Sequence, residues 1–362
     1  MSLNAWKRLD WPLLIAVLLL VFLGAAMIDS ATVNSPGLEG YARRHLIFAA
    51  MGVILLMAIA SFDYRLWGGL QWPLYVVGIA ILMLVDATGQ VRGGAQRWLN
   101  LGVVEVQPSE LTKGILLIVL SNYLAAYQRT IDRLSTLVQY AVFVIPPLAL
   151  IYIQPDLGTS ISVVFLAAGL VFVAGLPWRY MLGLAVMSIL SFPVIWASLD
   201  DYMRQRVLVF LNPSSDPQAV YNVRQALIAV GSGGLVGKGY KLGTQSQLHF
   251  LRVRHTDFIF PVIAEELGFL GGTLVIVLFT FVIYRLMRIS LSARDMFGRL
   301  LAAGVALMLF FQVFVNIGMN VGLLPVTGIP LPFVSYGGSH LVTTLALIGL
   351  AESVYAYRAP VG

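Results

Sequence analysis

The sequence has no cysteine, which excludes disulfide frameworks, thiolate metal sites and cysteine nucleophiles. Charge is also scarce. Only 11% of the 362 residues are Asp, Glu, Lys or Arg, too few to solvate the surface of a soluble chain of this length. No internal repeat and no low-complexity tract interrupts it. Apolar residues, by contrast, make up 59% of the chain, and the mean hydropathy is +0.86. A soluble enzyme, a disordered chain and a collagen-like repeat are thereby excluded. The remaining class is an all-α polytopic membrane protein, with residues 1–362 forming a single transmembrane domain.

Crossing a bilayer core takes roughly 20 helical residues, and ten apolar runs approach that length: 12–28, 46–61, 74–86, 111–127, 137–153, 159–175, 180–198, 258–284, 300–322 and 340–357. The third is short enough to be tilted or re-entrant. The first exceeds the roughly 7 to 15 apolar residues of a signal peptide and is expected to be retained. Ten crossings place both termini on one side. With that side cytoplasmic, the inner segments hold eleven Lys and Arg residues against Arg43, Arg44, Arg92 and Arg97 in the short outer loops, the asymmetry that sets orientation. Tryptophans 6, 11, 67, 72, 178 and 196 fall near the span ends, where an interfacial aromatic belt is expected.

Residues 199–257 form a long extracytoplasmic loop between the seventh and eighth spans. It holds seven basic against four acidic residues, a net charge of +3. Either these charges are simply tolerated, as long loops allow, or they meet an anion such as a lipid phosphate. Met203 to Leu211 reads as a short amphipathic helix suited to a membrane surface, and residues 212–217 as a turn. The stretch from Gly231 to Gly239 resembles a nucleotide loop but lacks its spacing. Ser232 stands where the first glycine belongs and Gly239 where Ser or Thr should follow Lys238. A flexible turn or a backbone cradle for phosphate remains.

All four histidines, His45, His249, His255 and His340, fall on or near the outer face. Their spacing does not make a zinc site, but a hard cation held jointly by a carboxylate and a substrate phosphate is compatible with the sequence. Glu110, Asp156 and Asp257 each stand in or beside the first turn of a span on the outer side. Helix-start acids have an ordinary role facing the helix dipole, and Glu110 with Lys113 makes an ordinary helical ion pair. Together, though, the three lie at one membrane depth, able to line a shared outward crevice. Glu265 and Glu266 sit about 12 to 14 Å deeper, where a carboxylate needs a partner; Lys113 or a loop arginine is the natural one to expect.

Five ordered blocks carry a resemblance to a known family. They are Gly94 to Leu99; Gln107-Pro108-Ser109-Glu110-Leu111 with Lys113; Gln154-Pro155-Asp156-Leu157-Gly158-Thr159; Gly231 to Gly268, with His255-Thr256-Asp257-Phe258; and Asn316 to Ser339, ending Val334-Ser335-Tyr336-Gly337-Gly338-Ser339. Over most of its length the chain resembles the SEDS proteins of bacterial cell-wall synthesis. It departs from the family at Arg252-Val253-Arg254, where the family usually reads Pro-Glu after Phe-Leu; no role of that glutamate carries over.

The resemblance implies a peptidoglycan glycosyltransferase in the bacterial inner membrane, polymerising lipid II, the undecaprenyl-pyrophosphate-linked disaccharide peptide, on the outer leaflet. It implies a class B penicillin-binding protein and other elongation-complex membrane proteins as partners, and no nucleic acid. It assigns the essential acid to Asp257, as the base that takes the proton of the attacking hydroxyl. Arg97, Lys113, Lys238, Arg252 and Arg254 are candidates to stabilise the departing pyrophosphate, with or without Mg²⁺ or Mn²⁺. Glu110, Asp156, His255, Ser335 and Ser339 are further substrate-binding candidates, and Glu265 and Glu266 supporting acids. The short N-terminus and lack of a long tail fit the elongation branch of the family better than the division branch. A lipid flippase and a non-catalytic scaffold are the rival classes.

Overall fold

The computed structural model describes residues 8–33, 35, 37–92, 95–100, 105–212, 217–251 and 253–358. Trp6, Gly94, Arg252 and most of the expected turn at 212–217 therefore lie outside the described residues.

Ten long helices coincide with the ten apolar runs: α1 (Trp11–Thr32), α2 (Tyr41–Ala60), α4 (Gln71–Thr88), α5 (Pro108–Ala126), α6 (Leu134–Ile153), α7 (Leu157–Val173), α8 (Trp178–Ser198), α12 (Ile259–Leu291), α13 (Met296–Asn320) and α14 (Gly338–Ala356). Among the described residues, seven of them are long and apolar enough to cross a membrane on length and composition alone; α4 and α7 are shorter apolar helices, and α5 carries the buried Glu110 and Lys113. The third run is a continuous helix, longer than its apolar stretch, because residues 71–73 and 87–88 extend it at both ends. Helix starts are set by side chains: Asp10, Asp156 and Asp295 accept from the backbone N–H of Leu13, Thr159 and Gly298, satisfying donors that helix geometry leaves unpaired. α13 and α14 form the buried centre of the bundle, whereas α8 buries none of its residues.

A short helix, α3 (Arg65–Gly69), precedes α4. The long loop contains α9 (Asp201–Leu211), α10 (Pro217–Ser232) and α11 (Thr244–Gln247). The amphipathic helix expected at Met203–Leu211 is thus present, beginning two residues earlier, while α10 was unforeseen. The all-α expectation also needs an addition. Strands β1 (Gln90–Arg92), β2 (Ala95–Asn100) and β3 (Glu105–Val106) make a small antiparallel sheet between α4 and α5, pairing Arg92 with Ala95 and Leu99 with Val106. It sets Arg97 beside the start of α7.

The glycine-rich stretch after α10 is neither a phosphate cradle nor a flexible turn. It is bonded to a break in α12 at Gly268, which has φ +68°. Lys238 and Gly239 donate their N–H groups to the carbonyls of Glu265 and Glu266 at 3.0 Å, and Phe269 and Leu270 donate back to Gly234 and Leu235. A side chain at Gly237 or Gly268 would collide with the facing backbone, so the sequence needs glycine on both sides of this contact.

At the other end of the bundle, the Asp10 N–H donates to Glu352 at 2.8 Å, and the Asp10 carboxylate pairs with Arg285. Asp295 accepts from Arg65 and from the Tyr64 hydroxyl. The two described ends of the chain therefore meet away from the long loop, as an even number of crossings requires.

Candidate active site

Asp257 lies in the turn just before α12, and its backbone is fixed from α13. Asn316 and Asn320, one helical turn apart, both donate to the Asp257 carbonyl, at 3.1 and 3.0 Å. The segment after α13 clamps the neighbouring residues: Ser335 donates its hydroxyl to the Thr256 carbonyl at 2.6 Å and accepts from Leu331 N–H, and Tyr336 N–H donates to the His255 carbonyl at 2.9 Å. The carboxylate is thereby presented at a fixed position, partly open at its surface. Burial raises its pKa above the ordinary aspartate range, and the Arg206 and Arg97 guanidiniums oppose that rise. A side chain at Gly328 would stand 3.7 Å from both Asp257 Oδ2 and Arg206 Nη1. That is ordinary contact, and it is the φ of +77° that favours glycine here.

Arg97, whose charge acts on Asp257, is itself paired with a second acid. It pairs with Asp156 at 3.4 Å, and the same carboxylate caps α7 and accepts from the side chains of Gln107, at 3.0 Å, and Ser109. Gln107 N–H donates in turn to Ser339 Oγ at the start of α14. Glu110 is held by two donors, Lys113 and His340, each at 2.8 Å, all three nearly fully buried. The helical pair read from sequence exists, but its carboxylate is shared with a histidine 230 residues away. Helix-start acids and basic residues from separate segments thus form two polar clusters, one around Asp156 and one around Glu110, inside an apolar bundle. An arrangement so costly to desolvate persists only when its partners are satisfied.

The loop cations are mostly engaged elsewhere. Lys238 pairs with Glu265 at 2.7 Å, and Glu265 also accepts from the N–H groups of Gln245 and Ser246 at α11. Glu266 accepts from Ser30 and Lys241 N–H. The partners expected for these acids, Lys113 or an arginine, are replaced by Lys238 and loop backbone. Two intramembrane carboxylates therefore anchor the loop 238–246 rather than face a substrate. Arg254, nearly fully buried, donates to the Ala31 and Leu251 carbonyls and lies against Ser35 and His249; it ties the loop to α1. Burial and the neighbouring Arg254 charge lower the His255 pKa to about 4, so this imidazole is neutral near pH 7. It packs edge-on to Tyr41, which stacks on Tyr336.

Among the described residues no group of three or more His, Asp or Glu is placed to hold a metal ion. Asp257 stands between guanidinium charges, a setting that draws anions.

The sequence matches the FtsW/RodA/SpoVE family, described as cell cycle proteins, over residues 10–359. The chain belongs to this family. It is 42% identical over 358 residues to the peptidoglycan glycosyltransferase MrdB of Escherichia coli (strain K12), covering 98% of this chain and 95% of that protein. It is 37% identical to stage V sporulation protein E of Bacillus subtilis (strain 168), covering 96% and 97%. Among solved structures, the Thermus thermophilus rod shape determining protein RodA aligns with a TM-score of 0.74 at 33% identity, over 98% of each chain. A chain from a peptidoglycan synthase complex aligns with a TM-score of 0.84 at 35% identity, over 97% of this chain and 99% of that one. The family recognised from the five sequence blocks is the family shown, and the chain is a multi-pass membrane protein with the helical fold of RodA.

Within this FtsW/RodA/SpoVE chain, sequence reasoning passed over Arg206, Gln107, His340, Asn316 and Asn320 as site residues. Two asparagines four apart within an apolar span were a readable signal, since amides at that depth need partners. Arg206 carried no such mark; only the packing of α9 against the segment 326–328 brings it to Asp257.

Proposed function

We propose that this protein is a peptidoglycan glycosyltransferase that polymerises lipid II at the outer face of the bacterial inner membrane during cell elongation. The observation that carries the reading is the Asp257 carboxylate, backbone-pinned by Asn316 and Asn320, raised in pKa and flanked by Arg97 and Arg206. A base of this kind takes the proton of the acceptor sugar's 4-hydroxyl as that oxygen attacks the anomeric carbon of the lipid-linked donor. The C–O bond to pyrophosphate breaks, and the leaving phosphate charge develops beside the guanidiniums. One carboxylate acting as base, with no covalent nucleophile, gives inversion from an α-linked donor to a β-1,4 bond.

The chain is more similar to MrdB, at 42% identity, than to FtsW relatives at 34–35%, which supports the elongation role. Likeness to a chain of a synthase complex that coordinates polymerization and crosslinking supports a class B penicillin-binding protein as partner. No step is routed through a metal. The purified full chain in detergent, given lipid II, is expected to make glycan polymer, and Asp257→Ala to abolish it at unchanged thermal stability. Polymer formation by the variant would remove Asp257 from the role of base. A chain that leaves lipid II unconsumed but moves it across vesicles would be a flippase.

A further inference from the structure

Of the basic residues in the long loop, Lys238, Lys241, Arg204 and Arg254 are held by Glu265, Asp29, the end of α8 and the end of α1. Arg206, which donates to the Val326 carbonyl, and Arg224 line a cavity of about 440 Å³ between α9, α10 and the segment 322–326. Phe258, the residue after Asp257, forms part of its wall. Arg206 therefore belongs both to the cavity and to the surroundings of the proposed base. The rest of the lining is largely apolar, and the buried Asn222 Oδ1 on it has no hydrogen-bond partner among the described residues.

A second space, of about 420 Å³, adjoins the first: Leu324 and Pro325 line both. It runs between α7 and α13 along Ile161, Phe165, Phe310 and Phe314. Ile161, Phe310 and Phe314 are 42%, 47% and 56% exposed, so the groove opens sideways from the bundle, where lipid surrounds it. The two spaces together have cations at the inner end, beside Asp257, and an apolar aromatic channel at the outer end. A free phosphate would have no use for the channel, and a peptide backbone would find no polar partner in it. An anionic head on a long hydrocarbon tail matches both ends.

We infer that this path is the donor subsite of the proposed reaction, with the pyrophosphate against Arg206 and Arg224 and the prenyl chain leading past Leu324 and Pro325 into the phenylalanine groove between α7 and α13. The assignment rests on the glycosyltransferase reading and adds to it where the lipid tail leaves the protein. The tail's burial contributes binding energy remote from the chemistry, which holds the anomeric carbon before the acceptor.

The test compares lipid II bearing the full undecaprenyl tail with lipid II bearing a farnesyl tail, short enough to end within the first cavity. In the full chain, Ile161→Trp is expected to raise KM for the long-tailed donor about tenfold, as losing burial of one or two isoprene units implies, and to leave the farnesyl donor unchanged. Ile189→Trp on the lipid-facing α8, 72% exposed, should move neither. Polymer formation whose tail dependence is the same in Ile161→Trp and Ile189→Trp overturns the path and leaves the activity standing. No polymer from the unaltered protein with either donor overturns the activity itself. A prenyl pyrophosphate carrying a diazirine on its tail should label residues 158–165 and 310–315 of the unaltered protein. Labelling spread equally over α8 would also overturn the path.

Discussion

Asp257 is useful as a base because two tendencies act on it in opposite directions. Burial favours its protonated form, and the guanidiniums of Arg206 and Arg97 favour the charged one. The balance keeps its pKa above that of a solvent-exposed aspartate, closer to the pH at which it must accept a proton. Activity requires the ionised form, so the rate should fall as pH drops through this raised value. Removing a positive neighbour moves the value up again. Arg206→Gln is therefore expected to shift the acid limb of kcat/KM to higher pH, and a pH profile of initial rates for both proteins reads the shift. A limb that stays in place would mean that another group limits the rate. Sequence made Asp257, Asp156 and Glu110 visible as acids at helix starts, because helix caps leave a local signature. It could not show that Arg97 pairs with Asp156 or that His340 shares Glu110, since those partners are distant along the chain.

Among elements, the junction between the glycine-rich stretch and α12 does most to position the loop. Composition alone made Gly231 to Gly239 look like a nucleotide loop that had lost its spacing. Its glycines serve a different purpose, letting one backbone lie against another at the Gly268 break while Glu265 and Glu266 receive the donors of the following turn. Periodicity found the long helices because each buries an apolar face or meets lipid over many residues. It missed β1 to β3, where Gly93-Gly94 between short polar strands was the available hairpin signal, and α10, whose sequence is too mixed to stand out. The junction gives a paired test. Gly237→Ala places a methyl against the Glu266 backbone at φ +83° and should cost about 2 kcal/mol or more, visible as a thermal midpoint several degrees lower with loss of polymer formation. Gly231→Ala, in helical backbone with open space around it, should leave both unchanged or raise stability slightly. Equal effects of the two would mean that the contact does not hold the loop.

Over the whole molecule, the charges divide between two ends with different work. At the loop end are the two polar clusters and an accessible acid. At the other, Asp10, Arg285 and Glu352 join α1, α12 and α14 and reach no cavity that the proposed reaction uses. The even number of spans and the clustering of basic residues near one side were legible in sequence; that this side closes on a buried acid pair was not, because Asp10 and Glu352 are 342 residues apart. Arg285 lies near the opposite end of α12 from Asp257, beyond the break at Gly268, so its loss should act on folding alone. Arg285→Ala leaves Asp10 in its buried place without its cation, a change that costs about 3 kcal/mol when a buried pair is broken. The variant should unfold at a distinctly lower temperature, Arg285→Lys should recover part of the difference, and kcat and KM per folded molecule should match the unaltered chain. If kcat falls while the folded fraction is intact, the two ends are coupled through α12, and the break at Gly268 becomes the place where that coupling must be carried.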